Sequence, residues 1–142
     1  MAALFAMAFA GEPTPGAQVP PSTSTAAAQH GPAQQAALDW LALVDAGDYG
    51  ASYDTAAALF RAAVTHDGWT QVVGATRTQV GAMKSRTLWT STTTTTLPNA
   101  PAGDYVVIVY KSAFANLPTA TETVTPMKDP DGTWRVSGYY IH

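Results

Sequence analysis

From residue 32 onward the apolar positions recur at helical spacing, and after Met83 they switch to alternation. Pro32 precedes AQQAALDWLALVDAGDY; proline suits the first turn of a helix and Gly47 suits its end. Ala37, Leu38, Leu41 and Val44 share a face that Trp40 and Leu43 widen, which predicts a helix over 33–46. Tyr53, Ala57, Phe60 and Val64 form a second helical stripe at i, i+4, i+7 and i+11, and Thr65 is placed to cap the next helix. Trp69, Val72, Val73, Thr76 and Val80 repeat the spacing and predict a third helix over 67–82, weakened by Gly74 and Gly81.

The second half reads as strands. KSRTLWTSTTTTTLP is rich in threonine, which is β-branched and tolerates water, so a half-exposed strand is expected. A turn through Pro98, Asn99, Pro101 and Gly103 leads to DYVVIVYKSAFAN, the strongest strand signal, with Val106, Ile108 and Tyr110 on one face and Tyr105, Val107 and Val109 on the other. Leu117 and Pro118 are expected to turn the chain into TATETVTPM. Asp129, Pro130, Asp131 and Gly132 form the next turn: Pro130 presets its backbone angle and Gly132 accepts a positive one. In the last strand simple alternation puts Trp134, Val136, Gly138 and Tyr140 on one face and Arg135, Ser137, Tyr139 and Ile141 on the other. The expected fold is α+β: three N-terminal helices packed on one face of a four-stranded antiparallel meander.

Composition narrows the chemistry. The 142 residues suit one domain. Only 12% are charged, the net charge is -3, and Arg61, Arg77, Lys84, Arg86, Lys111, Lys128 and Arg135 are scattered. Nucleic-acid binders gather such charges on one face, so neither nucleic acid nor an anionic membrane is an expected partner. Without cysteine there is no thiol chemistry and no disulfide.

The first ten residues, MAALFAMAFA, are too short to span a bilayer. They match the apolar part of a secretory signal, with Ala8, Phe9 and Ala10 in the small-x-small pattern that precedes cleavage. The basic start of such a signal is expected to lie upstream of Met1. Residues 11–31, rich in Pro, Ala, Ser and Thr, read as a disordered linker to a single domain over 32–142. The expected location is periplasmic or secreted, with no transmembrane segment in the mature chain.

The stretches WLALVDAGDYGASYD, LFRAAV, DYVVIVYKSAFAN and ETVTPMKDPDGTWRVSGYYI, at this spacing, resemble a bacterial family of small exported proteins, the domain of unknown function 4019. The resemblance covers about residues 36–141. It implies an exported α+β domain similar in outline to cystatin-like or nuclear-transport-factor-like cones. It implies no established activity and no catalytic set to transfer.

Candidate chemistry is sparse. His30, His66 and His142 form no pair at a metal-ligand spacing, and no cofactor is expected. No Gly-x-Ser-x-Gly, Ser-x-x-Lys, phosphate loop or dinucleotide fingerprint occurs. Consecutive threonines over 90–96 could offer a hydroxyl array, but one row is too little. An isomerase-like site would need a carboxylate facing an apolar cavity, for which Asp54, beside Tyr53, and Glu122 are the candidates. The simpler expectation is that Glu122 pairs across the sheet with Lys111 or Arg135. Arg61 is expected to anchor a helix end or reach a carboxylate. Of Tyr139 and Tyr140, at least one is expected to meet solvent or a partner. The residues placed for an interface or pocket are thus Tyr53, Asp54, Arg61, Tyr110, Glu122, Arg135 and Tyr139. The function expected is a non-enzymatic exported module binding a protein or peptide, inhibitor- or immunity-like, with a partner in the cell envelope. The alternative is a small-molecule binder or isomerase-like enzyme using the concave face of the sheet.

Overall fold

The structure, a computed structural model, describes residues 31–142. The signal-like segment 1–10 and all of the predicted linker except Gly31 lie outside the described residues. Four helices, α1 (Pro32–Asp45), α2 (Tyr49–Asp54), α3 (Ala58–Ala63) and α4 (His66–Val80), precede four strands, β1 (Met83–Thr94), β2 (Tyr105–Phe114), β3 (Leu117–Lys128) and β4 (Trp134–Ile141). The strands form one antiparallel sheet in the order β1-β2-β3-β4, the α+β meander that the alternation predicts.

The signals at the ends of the helices act as their chemistry requires. Pro32 occupies the first turn of α1, and Gly47 comes just after its end with φ of 79°. The Thr65 hydroxyl accepts from the Gly68 amide at 3.0 Å and starts α4. The second predicted helix is instead two short ones. Ala57 is extended between α2 and α3, and its amide donates to the Val136 carbonyl of β4 at 2.8 Å. That bond holds the chain to the sheet and interrupts a helical stripe that spacing alone would continue.

The core lies between the helices and one face of the sheet. Trp40, Leu41, Phe60, Trp69 and Val73 pack against Ile108, Tyr110, Val124, Val136, Tyr139 and Ile141. Buried indoles need a hydrogen-bond acceptor. Ser52, fully buried on α2, serves both: its carbonyl accepts from Trp40 Nε1 at 2.8 Å and its hydroxyl from Trp69 Nε1 at 3.0 Å. A smaller cluster of Ala57, Tyr105 and Met127, flanked by Leu59, Leu97 and Ala100, closes the end of the sheet where β2 begins.

Two irregularities change which side chains are buried. Thr125 pairs with Gly138 but Pro126 pairs with Val136, so Ser137 is an extra residue on β4. The bulge puts Val136 and Tyr139 on the same buried face, whereas simple alternation separates them. It also suits Pro126, which has no amide to donate in this interior strand. On β1, Leu88 pairs with Tyr110 and Thr90 with Val109, which leaves Trp89 as the bulged residue. The β2–β3 turn uses Ala115 and Asn116, and Leu117 and Pro118 already belong to β3.

That turn is fastened to the end of α4. Ala115 N donates to Ala82 O at 2.8 Å and Asn116 N to Val80 O at 2.8 Å. Gly81 lies between them at φ 80°, where a Cβ would meet Ala115 Cβ and Asn116 Nδ2 at 3.0 Å. Gly81→Ala is therefore expected to destabilise the fold by about 1–3 kcal/mol, read as a lowered midpoint in urea unfolding.

Candidate functional site

The polar side chains inside the fold meet in one network. Glu122, 0% exposed in the middle of β3, receives Arg86 Nε at 2.7 Å and Nη2 at 3.1 Å, and the Ser112 hydroxyl at 2.6 Å. The Tyr139 hydroxyl donates to its other oxygen. Asp45, the last residue of α1, accepts from Arg86 Nη1 at 2.8 Å and from Arg77 Nη2 at 2.7 Å. Arg77 also stands 4.9 Å from the centre of the Phe114 ring. Two guanidinium groups thus face two carboxylates, and their charges cancel.

Arg86 reaches Glu122 by crossing a whole strand. It pairs with Ser112 on β2, and Ser112 with Ala120 on β3. These small side chains leave room for a guanidinium to span the roughly 9.6 Å between alternate strands. The carboxylate's partner is therefore Arg86, not Lys111 or Arg135. Lys111 points to the other side of the sheet, where its ammonium lies 5.1 Å from the Trp89 ring. Arg135 is held in the β3–β4 turn by Asp129 at 3.0 Å and Asp131 at 2.9 Å.

Burial and charge pairing oppose each other at Asp45 and Arg86 and act on Tyr139. Burial pushes the Asp45 carboxyl up, but the Arg86 and Arg77 guanidinium groups outweigh it and hold the group below its ordinary value of 3.8. Burial lowers the Arg86 affinity for its proton, but the hydrogen bonds it donates to Asp45 and Glu122 reverse this and raise it overall. Burial, and then the Glu122 charge, keep Tyr139 a neutral phenol. Tyr110, directly opposite Glu122, is also raised by burial, and its hydroxyl is the one buried side-chain polar atom without a hydrogen-bond partner among the described residues.

Of the seven residues singled out from the sequence, Tyr110, Glu122 and Tyr139 meet here. Tyr53 and Arg61 meet elsewhere: the Tyr53 hydroxyl donates to the carbonyls of Arg61 and Val64, both at 2.9 Å, and closes the end of α3. Asp54 is exposed at the end of α2, and Arg135 stays with its turn. The sequence reading missed Asp45, Arg77, Arg86 and Ser112 as partners. One signal was available: Trp69, Val73 and Arg77 lie at i, i+4 and i+8, so Arg77 interrupts the buried stripe of α4.

Apart from the end where β2 begins, at which Leu59 of α3, Leu97 and Ala100 pack on Tyr105 and Met127, the opposite face of the sheet is uncovered. Register places Thr90, Val109, Thr123 and Tyr140 side by side across the four strands, with Thr87, Lys111 and Thr121 in the neighbouring row. The β1 bulge turns Trp89 onto this face, 65% exposed, and Tyr140 is 41% exposed. These rows carry one cation, Lys111, and no carboxylate. Among the described residues no group of three His, Cys, Asp or Glu side chains is arranged to hold a metal. None of their helices is long and apolar enough to cross a membrane.

A family model described as "Protein of unknown function (DUF4019)" matches residues 36–139. The chain belongs to this family. No curated protein and no solved structure matches the chain. The match runs from within α1 into β4 of this DUF4019 domain and covers the residues of the charge network; Tyr140 lies just past it.

Removing one member of a desolvated charge group leaves another uncompensated. Glu122→Gln is expected to cost about 3–5 kcal/mol, while Glu122→Leu combined with Arg86→Met costs less than the two single changes summed; urea unfolding of these variants beside the parent tests this. Two carboxyls give the pH response: Asp131, which Arg135 holds down to about 2, and Asp45. Each carboxyl is held below the unfolded value, so it contributes stability above pH 3.8 that is lost as pH falls through the lower folded value. Thermal melts between neutral and acid pH should show this loss, and Asp45→Asn should reduce it while leaving the part due to Asp131.

Proposed function

We propose that this domain is a non-enzymatic, exported binding module that holds a protein or peptide against the uncovered face of its sheet. The observation that carries the reading is the pair Trp89 and Tyr140, large rings left 65% and 41% exposed on a face whose charges are Lys111 and, at its end, Arg135, already paired with Asp129 and Asp131. Exposed aromatics on a weakly charged surface mark interfaces more often than catalytic sites. The charge network supports the same view. Glu122 has its acceptor capacity directed at Arg86, Ser112 and Tyr139, so this carboxylate is not free to face a ligand. An isomerase-like site would need that carboxylate free and facing an open cavity.

The apolar segment 2–10, followed by Gly11 and Pro13, supports export to the periplasm of a bacterium, with the Pro- and Thr-rich stretch as a tether. An inhibitor or immunity-type protein, which blocks its target by occupying it, has these requirements.

The test is capture from periplasmic extract by the immobilised domain. Bound protein should disappear when Trp89→Ala and Tyr140→Ala are combined, with the melting temperature within a few degrees of the parent. Retention of the same proteins by the double variant, or an unprocessed Met1 on protein confined to the cytosol, would sink the corresponding half of the reading.

A further inference from the structure

The two edges of the sheet differ. Both are bulged, β4 at Ser137 and β1 at Trp89, but β4 is short and its Val136 carbonyl is already taken by the Ala57 amide. β1 is 12 residues long, and the helices pack over β2, β3 and β4 rather than over it. Residues 87–93 are exposed throughout, with Leu88 on the helix side and Trp89 on the other. An open strand edge is a template for another strand, and proteins blunt it with lysine, proline or a covering element. Residues 87–97 contain no charge and no proline, and seven of these eleven are threonine.

The charges of β1 also point to a partner. Its two cations, Lys84 and Arg86, lie at one end. A parallel copy would set like charges side by side. An antiparallel copy sends them to opposite ends and lays uncharged threonine and serine against threonine and serine, a favourable cross-strand pairing. The segment is therefore complementary to itself under a two-fold axis.

We propose that two copies of this chain pair antiparallel through β1, about a two-fold axis near Ser91, to form one continuous eight-stranded sheet. Residues 88–94 of each copy then face each other. The two Arg86 residues stand about ten residue positions apart, roughly 34 Å. Lys111, opposite Thr87 on β2, is likewise off-centre, so the two ammonium groups stay apart. The pairing shields the Leu88 side and the Trp89 side of the edge together and places the two aromatic faces on one surface. A strand pair of this length buries less than the about 1,600 Å² of a standard interface, so monomer and dimer exchange at micromolar concentrations or above.

Sedimentation of the chain across about 1–500 μM is the test, with the mass expected to climb from 14.8 kDa toward twice that value. Thr92→Lys puts a charge at the centre of the pairing and should weaken association by about ten-fold or more. Because the chain has no cysteine, Ser91→Cys supplies a single thiol, and a short bismaleimide should join two copies through it. Lys128→Cys, at the far end of β3, should stay unjoined. A 14.8 kDa species at every concentration overturns the proposal. So does a dimer that Thr92→Lys leaves intact and in which Ser91→Cys is not crosslinked, since it would use another surface.

Discussion

Arg86 crosses β2 to reach a carboxylate on β3, and with its other nitrogens it holds the last residue of α1. Through Asp45 the contact extends to Arg77 on α4, and through Glu122 to Tyr139 on β4. One guanidinium thus connects the open edge of the sheet, its interior strands and two of the helices. A buried ion group is a weak source of net stability, because desolvation offsets most of the Coulombic gain. Its stronger effect is on arrangement. Glu122 has no solvent to turn to, so a register or helix placement that separates it from Arg86 leaves a bare charge in the core.

The same closure extends to the other polar groups of the core. Ser112, Tyr139 and Arg86 occupy the oxygens of Glu122, and the indoles of Trp40 and Trp69 find their partners on Ser52. The concave side of the sheet is therefore committed to its own packing. Presented to the surroundings are the opposite face, with its rows of threonine and valine, the edge beside it, the outer sides of the helices and a groove between α1 and the start of β4 lined by Trp40 and Trp134.

Much of the fold was legible because its signals are local. Pro32, Gly47, Thr65 and Gly132 act through their own backbone or a near neighbour, and the change of period after Met83 marks the passage from helices to sheet. The misses have a common cause. Ala57 breaks a helix because of a carbonyl 79 positions along the chain, on Val136. The bulge at Ser137 shifts the alternation by one, and no residue of SGYY announces it. For the site, Glu122 and Tyr139 stood out as residue types, but a neighbour on the adjacent strand was the natural partner to expect. The contact that wins skips a strand, which becomes visible only once Ser112 and Ala120 are seen to lie beneath it.

Trp89 has one more consequence, a spectroscopic one. Trp40 and Trp69 emit from a dry interior, 5.7 Å from each other and close to the Tyr139 ring. Trp89 emits from water with the Lys111 ammonium beside it. Its fluorescence should lie to the red of theirs and be open to quenching by iodide. With the half-buried Trp134 between these extremes, the domain carries its own optical label at the edge of the uncovered face, and anything that settles there dims or shifts the Trp89 part of the emission while the signal of Trp40 and Trp69 stays still.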